Sequence, residues 1–332
     1  MIYIRTDMND IIATGHVMRC LSIADAAKEM GEEVTFILAD NQAEDYIISR
    51  GYQVIVLGSR WDAMETELPV LLELIRKRNI ESILIDSYQV TEKYLAELTK
   101  VTRTIYLDDL NAFHYPVDNI ICYANYYKKF AYEKNYPIDK LYLGLNYVPL
   151  RKEFQDCCPK VINEQVKNLL LLSGGTDNYH ILRRLLERID LVEYQQVHVI
   201  CGKYNADYED LKLKNKDCTN VYIHKAVTDM KRYMEEADLV ISAGGSTLYE
   251  LCAVGTPAIS YSFADNQLDN VRKFQEDGMI DYAGDIRCDN VMDNVVRLLE
   301  RYANNKALRQ ERSIKMQKIV DGYGARRIAE VI

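Results

Sequence analysis

Short apolar runs alternate with helical stretches along this chain, and the alternation occurs twice. The runs of the first series cover residues 2–4, 34–38, 53–57, 82–86, 104–108 and 119–123. The runs of the second series cover residues 168–175, 196–202, 220–224, 238–245 and 257–262. Strands that alternate with helices form parallel sheets with helices on both faces. The pattern therefore predicts an α/β protein of two doubly wound, Rossmann-like domains, which we expect to face a cleft.

The two series are separated by residues 143–160, where Gly144, Pro149 and Pro159 interrupt the alternation. We interpret this stretch as the linker, with an N-terminal domain over 1–148 and a C-terminal domain over 149–332. A length of 332 residues suits two domains of ordinary size. The last helical stretch could pack back onto the N-terminal domain.

Composition narrows the classes of function. The formal net charge of −9 argues against broad nucleic-acid binding, which needs clustered Lys and Arg, but allows a local basic pocket for one nucleotide. No run approaches the ~20 apolar residues that span a bilayer, and no secretory signal is visible. Eight scattered cysteines without a Cys-x-x-Cys predict reduced thiols and no metal site. We therefore expect a cytoplasmic protein without a membrane partner.

The segment "TDMNDIIATGHVMRC" places Gly15 and His16 where a helix predicted from about Val17 to Met30 begins. Open α/β sheets bind ligands at such strand-to-helix junctions. The glycine lets the backbone approach a ligand closely, and the helix dipole disfavours a protonated imidazole, so a neutral His16 can take a proton from water. A capping histidine without chemistry explains the position equally well. Arg19 faces the same end of the helix, either towards a ligand or in a surface ion pair.

Two paired-glycine turns follow strands of the second series, at Gly174-Gly175 and at Gly244-Gly245. Paired glycines after a strand free backbone N–H groups to meet a phosphate. A tight strand-to-helix turn without a ligand also explains each pair when it is considered alone.

The second of these turns carries more chemistry. Ser246 and Thr247 can cap the following helix and donate to phosphate oxygens. Glu250, one turn into the helix, can accept hydrogen bonds from both hydroxyls of a ribose, or it can simply balance the helix dipole. A Walker lysine motif is absent, which disfavours ATPase chemistry.

These features together resemble the two-domain nucleotide-sugar glycosyltransferases known as GT-B. The block "SAGGSTLYELCAVGTPAISYSFADNQLDN" (242–270) is similar to the donor-binding half of the enzymes that add N-acetylglucosamine to the cell-wall lipid precursor. The stretches "RTD…GHVMRCLSIA", "LIDSY", "YLDDL", "LGLNYVPLRKEF" and "ADNQ" resemble, in order, the UDP-sugar hydrolases of pseudaminic acid biosynthesis. Those enzymes act on UDP-2,4-diacetamido-2,4,6-trideoxy-β-L-altropyranose. A spore-coat polysaccharide group shares the architecture, and the resemblance spans nearly the whole chain.

The resemblance implies that water cleaves the bond between sugar C1 and the UDP oxygen, with inversion and without a metal or other cofactor. It implies that His16 is the base, that Tyr88 and Asn266 complete the catalytic set at the sugar, and that Val227 lies beside the uracil. The other implied substrate-binding residues are Asp7, Gly15, Arg19, Gly174, Gly175, Gly244, Gly245, Ser246, Thr247, Glu250 and Gln267. A UDP-sugar is thus the expected partner, and a monomer is the expected state.

Three alternatives stay open. A GT-B transferase would use the same donor site, a UDP-sugar 2-epimerase would invert C2 while releasing UDP, and a non-catalytic sensor would bind UDP-sugars without releasing UDP. A lipid-acceptor transferase should carry an apolar and basic membrane patch. The nearest candidate, "YYKKFAYEK" (126–134), is short and typical of a solvated surface.

Overall fold

A computed structural model describes residues 1–12, 14–288 and 290–332, and it contains two compact units. The first unit comprises Met1–Lys152 together with Gly322–Ile332. The second unit comprises Glu153–Asp321. The C-terminal segment therefore belongs to the first unit, and the polypeptide crosses between the units twice.

Within the described residues, the first unit holds a parallel sheet of seven strands. The strands are β1 (Ile2–Thr6), β2 (Val34–Leu38), β3 (Gln53–Val56), β4 (Ser82–Asp86), β5 (Arg103–Leu107), β6 (Asn119–Cys122) and β7 (Leu141–Leu143). The helices are α1 (Gly15–Glu29), α2 (Glu44–Ser49), α3 (Leu68–Arg78), α4 (Glu92–Thr99) and the C-terminal helix, Gly324–Val331. The spatial order β3-β2-β1-β4-β5-β6-β7 reverses direction between β1 and β4. Ligands of doubly wound sheets bind beyond the carboxyl ends of the strands at such a reversal.

The second unit holds a parallel sheet of six strands in the described part of the chain. The strands are β8 (Asn168–Leu172), β9 (Gln196–Cys201), β10 (Val221–Lys225), β11 (Leu239–Ala243), β12 (Ala258–Ser262) and β13 (Asp281–Asp285). The helices are α5 (Ile181–Arg188), α6 (Tyr208–Lys214), α7 (Met230–Glu236), α8 (Thr247–Val254), α9 (Asp265–Glu276), α10 (Val291–Ala303) and α11 (Lys306–Gln317). The order β10-β9-β8-β11-β12-β13 reverses between β8 and β11. Short 3-10 turns in the two units lie at Met64–Glu67, Tyr127–Phe130, Tyr132–Lys134, Ile138–Lys140, Leu145–Tyr147, Lys152–Phe154 and Leu191–Glu193.

Each sheet is the centre of its own hydrophobic core. β1, β2, β11 and β12 are buried at every position. Burial on both faces is what helices packed against both sides of a parallel sheet produce, and it explains why these strands are continuous apolar runs in the sequence.

The C-terminal helix packs against α1 and against the segment around Val148. Gly324 makes this approach possible, because a Cβ at that position would lie 2.2 Å from the carbonyl oxygen of Val148. A larger residue at 324 would push the helix off the first unit.

The prediction of two doubly wound α/β sheets is confirmed. The first helix begins at Gly15, two residues earlier than expected. Two strands were not predicted. β7 has three residues and ends where the stretch interpreted as a linker begins, and β13, "DYAGD", is poor in the β-branched and aromatic residues that mark strands.

Candidate functional site

A cluster of polar side chains lies at the carboxyl edge of the first sheet, around the reversal between β1 and β4. His16 and Arg19 are on the first turns of α1, and Asp86 ends β4. Asp109 and Tyr123 follow β5 and β6 in the chain. The sequence thus brings five polar groups to the edge at which sheets of this kind bind ligands.

Asp86 is the centre of this cluster, and its side chain is fully buried. One carboxylate oxygen, Oδ1, lies 2.6 Å from His16 Nδ1 and accepts from Arg19 Nη2 at 2.5 Å. The other oxygen accepts from Arg19 Nε at 2.7 Å, so the guanidinium binds the carboxylate with two prongs. These contacts supply the partners that a buried carboxylate requires, and they fix the orientation of the imidazole.

The charges of the cluster stabilise one another. Burial opposes the ionisation of Asp86, but Arg19 and His16 outweigh it and hold the pKa of this carboxyl well below its usual range. Burial also opposes the charge on Arg19, and Asp86 more than compensates, so the pKa of this guanidinium is raised. Burial raises the pKa of Tyr123 to about 12 and that of Tyr88 further, and both phenols keep their protons near neutrality.

The hydrogen bond to Asp86 determines which imidazole nitrogen is available for chemistry. An ionised carboxylate only accepts, so Nδ1 of His16 carries the proton in this bond, and in the neutral ring Nε2 carries the lone pair. Within the described residues, nothing hydrogen-bonds Nε2. The edge of the Tyr88 ring packs on the imidazole, with ring centroids 4.5 Å apart. The geometry therefore leaves an oriented, unshared lone pair.

Arg19 connects the histidine to a second group of side chains. Its Nη1 donates to Asp109 at 2.9 Å and to the Tyr123 hydroxyl at 2.8 Å. The Tyr88 hydroxyl donates to the same oxygen of Asp109, also at 2.9 Å. The Arg19 side chain is only 11% exposed, so it forms a buried network and not the surface ion pair considered for it above.

Asp86 should make the stability of the protein depend on pH in the acid range. A carboxyl whose pKa falls on folding stabilises the folded state above its unfolded pKa, about 3.9 for Asp, and this contribution is lost as pH falls through the folded pKa. We expect Asp86→Asn to lower the free energy of unfolding at neutral pH. The difference in the free energy of unfolding between the variant and the wild type should become smaller as the pH drops below about 4. Urea unfolding measured from neutral to acid pH tests this prediction. A difference between variant and wild type that does not change with pH would contradict it.

Asp7 lies in a different network from His16. Arg5, which is fully buried, donates to Asp7 at 2.5 Å and to both carboxylate oxygens of Glu67 at 2.8 Å. The other oxygen of Asp7 accepts from the backbone N–H of Ala39 at 2.8 Å. Burial outweighs these partners and raises the pKa of Asp7. Both of its oxygens are therefore used by the protein itself, whereas the resemblance assigns Asp7 to the substrate.

In the second unit, the turn after β11 presents open backbone donors. The N–H of Gly244 bonds to Tyr261, but the N–H groups of Gly245, Ser246 and Thr247 have no acceptor among the described residues. The expectation that Ser246 caps α8 is wrong. Its backbone is already helical, with φ −61° and ψ −22°, and its hydroxyl makes no capping bond. The expected cap at Thr247 is wrong too, because this residue is the first of the helix. The turn thus offers three N–H groups and an exposed hydroxyl.

Asn270 holds this turn in place. Its amide donates to the carbonyl oxygen of Gly244 at 2.9 Å and accepts from the Tyr249 hydroxyl at 2.9 Å. A Cβ on Gly244 would lie 2.2 Å from Val271, so only glycine fits there. The turn is packed against α9 and is preformed.

The turn at Gly174-Gly175 differs from the one at Gly244-Gly245. α5 begins only at Ile181, and the N–H groups of Ile181 and Leu182 donate to the carboxylate of Asp177 at 2.8 and 3.1 Å. A carboxylate of the protein therefore occupies the helix N-terminus behind the first glycine pair, and the N–H groups of Ile181 and Leu182 are not available to a phosphate.

The other predicted residues of the second unit lie in loops or first turns at the carboxyl edge of its sheet. Glu250 is half-buried in α8, and Val227 is half-buried after β10. Asn266 is exposed at the start of α9. The side-chain oxygen of Gln267 accepts from the N–H of Phe263 at 3.1 Å, which leaves its amide nitrogen for other partners.

Four residues of these two sites were not singled out from the sequence: Asp86, Asp109, Tyr123 and Asn270. For Asp86 and Asp109 a signal existed, because an acid that ends or directly follows a buried strand is placed at a ligand-binding edge. Tyr123 and Asn270 carry no such signal, since their roles depend on packing between distant segments.

Two kinds of feature are absent from the described part of the chain. No three His, Cys, Asp or Glu side chains converge there in a way that could hold a metal ion. No helix there is long and apolar enough to span a bilayer.

Comparison with known proteins identifies several relatives of this chain. Residues 169–323 match the model of the glycosyltransferase family 28 C-terminal domain. The spore coat polysaccharide biosynthesis protein SpsG of Bacillus subtilis is 21% identical over 96% of this chain and 93% of its own length. The pseudaminic acid cytidylyltransferase and UDP-2,4-diacetamido-2,4,6-trideoxy-beta-L-altropyranose hydrolase of Helicobacter pylori is 22% identical over 80% of this chain. This chain covers 45% of that protein, and about half the length of two further curated relatives.

Solved structures show the same fold. The crystal structure of MurG from Acinetobacter baumannii superimposes with a TM-score of 0.73, at 11% sequence identity, over 100% of this chain and 98% of that one. The GT-B fold expected from the sequence is therefore confirmed. At this identity the likeness concerns the fold alone.

Proposed function

We propose that this chain is a UDP-sugar hydrolase that releases UDP and a free 2,4-diacetamido-2,4,6-trideoxy sugar for nonulosonic (pseudaminic) acid biosynthesis. The observation that carries the proposal is the His16–Asp86 pair, which leaves Nε2 of the imidazole as an oriented base at the ligand edge of the first sheet. The similarity to the H. pylori protein, whose name includes this hydrolase, supports the choice of substrate.

The reaction needs one base and one stabilised leaving group. The oxygen of a water molecule attacks sugar C1 while Nε2 of His16 takes a proton from that water. The bond between C1 and the UDP oxygen breaks, UDP leaves with the electron pair, and attack from the opposite side inverts C1. Asp86 stays ionised and stabilises the imidazolium that forms. The imidazolium then returns its proton to solvent.

The diphosphate is assigned to the turn after β11. Three free N–H groups and the first turn of α8 favour negative charge that increases as UDP departs. Asn270 preorganises this turn, so its donors need not reorganise during the reaction. Glu250, one turn further, is assigned to the ribose hydroxyls. Metal independence, a monomeric state and a cytoplasmic location remain predictions of the sequence.

Glu250→Ala should weaken UDP binding. A carboxylate that accepts from ribose hydroxyls leaves them unpaired when it is removed, which costs about 1–3 kcal/mol. Calorimetric titration of UDP measures this loss, and Glu235→Ala, a surface variant in α7, is the control that should not change it. Equal affinity of Glu250→Ala and wild type would refute the ribose assignment.

Incubation with candidate UDP-sugars in H₂¹⁸O tests the proposed reaction itself. Hydrolysis should release UDP and place ¹⁸O on C1 of the free sugar, with the inverted anomer visible first by NMR. A 2-epimerase would change the configuration at C2, and a sensor would release no UDP. UDP release only when an acceptor alcohol is added would replace the hydrolase with a transferase.

The transferase is the second candidate, because the matched family model describes a glycosyltransferase domain over 169–323. That half of the chain carries the turn assigned to UDP, and both reactions need it. The two functions differ in what reaches the sugar from the His16 side, water or an alcohol. Incubation with and without an added acceptor alcohol therefore distinguishes the hydrolase from the transferase.

A further inference from the structure

A cavity of about 410 Å³ lies in the first unit, apart from the His16 cluster. It is lined by the end of α4 and by the segments that lead into β6 and β7, including Pro116, Val117, Tyr136 and Lys140. These segments enter their strands at the amino ends. The cavity is therefore on the edge of the sheet opposite to the one that carries His16, and the proposed hydrolysis does not use it.

The lining of this cavity is basic in an otherwise acidic chain. Lys100 and Lys140 contribute positive charge, and no Asp or Glu is among the described lining residues. Lys100 is exposed and pairs with Glu97 at 2.6 Å, which offsets part of its charge. Lys140 is half-buried and has no ion-pair or hydrogen-bond partner for its ammonium in the described residues. An ammonium without a partner, set beside apolar walls, is a ready site for an anion.

The same cavity offers a flat surface. The His114 ring stacks on Tyr136, with centroids 4.8 Å apart and an angle of 16° between the planes. Tyr136 is buried and its hydroxyl accepts from the N–H of Tyr115, so the ring on which His114 stacks is held in place. His114 itself is exposed and leaves its outer face to a planar ring. Pro116, Val117 and Ala96 add apolar walls.

We propose that this cavity is a second ligand site that binds a nucleoside monophosphate. The base would stack on His114, as bases stack on aromatic side chains, and the phosphate would pair with Lys140. The volume lies in the range of small-molecule sites, and the combination of apolar walls with a few polar groups is typical of them. A free phosphate would use only the lysine, and an uncharged nucleoside would use only the ring.

Titration of UMP into the full chain, followed by calorimetry, tests the proposal. We expect two sites per chain, one at the turn assigned to UDP and one in the cavity. Lys140→Gln, which removes the charge but keeps a polar side chain, should weaken the cavity site roughly tenfold. His114→Ala should weaken it severalfold, while Lys128→Gln, an exposed lysine outside the cavity, should leave it unchanged.

The variants separate this site from the proposed function. Glu250→Ala should weaken only the other site, so the two assignments fail independently. Inorganic phosphate and uridine should each bind the cavity more weakly than UMP. The absence of any UMP site that Lys140→Gln or His114→Ala weakens would overturn the proposal. Phosphate that binds as tightly as UMP would overturn the nucleotide assignment.

Discussion

His16→Asn should lose most of its turnover while keeping the fold and the affinity for UDP. The substitution keeps a polar group that can donate to Asp86 but removes the lone pair of Nε2, so it removes the base without emptying the position. General-base catalysis contributes ~10²–10⁴-fold, and the loss should appear in kcat more than in KM because the base acts in the transition state. Steady-state measurement of UDP release gives both constants.

A matched control is needed because any substituted histidine can disturb packing. His198 is half-buried in β9 of the second unit, where its ring stacks on His224, and it belongs to neither candidate site. His198→Asn should retain kcat. Circular dichroism and UDP titration should show that His16→Asn is folded. A folded His16→Asn variant with near-normal kcat would reduce His16 to a structural partner of Asp86 and leave the base unassigned.

The fold could be predicted from the sequence because its strands are apolar on both faces. Runs such as Val34–Leu38 and Ser82–Asp86 coincide with the predicted bounds, since nothing competes with a continuous buried run. The edge strands at Leu141–Leu143 and Asp281–Asp285 could not be found this way. The first is apolar, but three residues are too short a run to mark a strand, and the second holds two acids and a glycine among its five residues.

The candidate sites could be predicted only in part. The glycine turns and His16 are visible because their residue types are unusual at strand-to-helix junctions. The partner of His16 could not be predicted. Asp86 is 70 residues away in sequence and meets His16 through the pairing of β1 with β4. The role of Asp177 was missed for a related reason. Its carboxylate caps α5 from a left-handed backbone conformation, with φ +58°, which the sequence alone does not reveal.

The buried network around Arg5 joins the end of β1 to the 3-10 turn that precedes α3. Arg5 and Glu67 both have fully buried side chains, and two hydrogen bonds of 2.8 Å connect them. Glu67 also accepts from the hydroxyls of Tyr94 at 2.7 Å and Ser59 at 2.9 Å. Burial opposes the charge on Arg5, but the hydrogen bonds to Glu67 and the charges of Asp7 and Glu67 outweigh it and raise its pKa. A cation that cannot be neutralised therefore depends on these carboxylates.

Glu67→Gln should accordingly destabilise the protein by about 3–5 kcal/mol, the usual cost of removing one partner of a buried ion pair. The isosteric amide keeps the packing, so the loss reports the uncompensated charge of Arg5. Glu65→Gln is the matched control, because Glu65 pairs with Lys93 at 2.9 Å on the surface, where such a pair contributes about 0–1 kcal/mol. The double variant Arg5→Met with Glu67→Met should recover part of the loss, since it removes both charges together. Urea unfolding measures all three, and a loss at Glu67 no larger than at Glu65 would show that water or Asp7 alone satisfies the guanidinium.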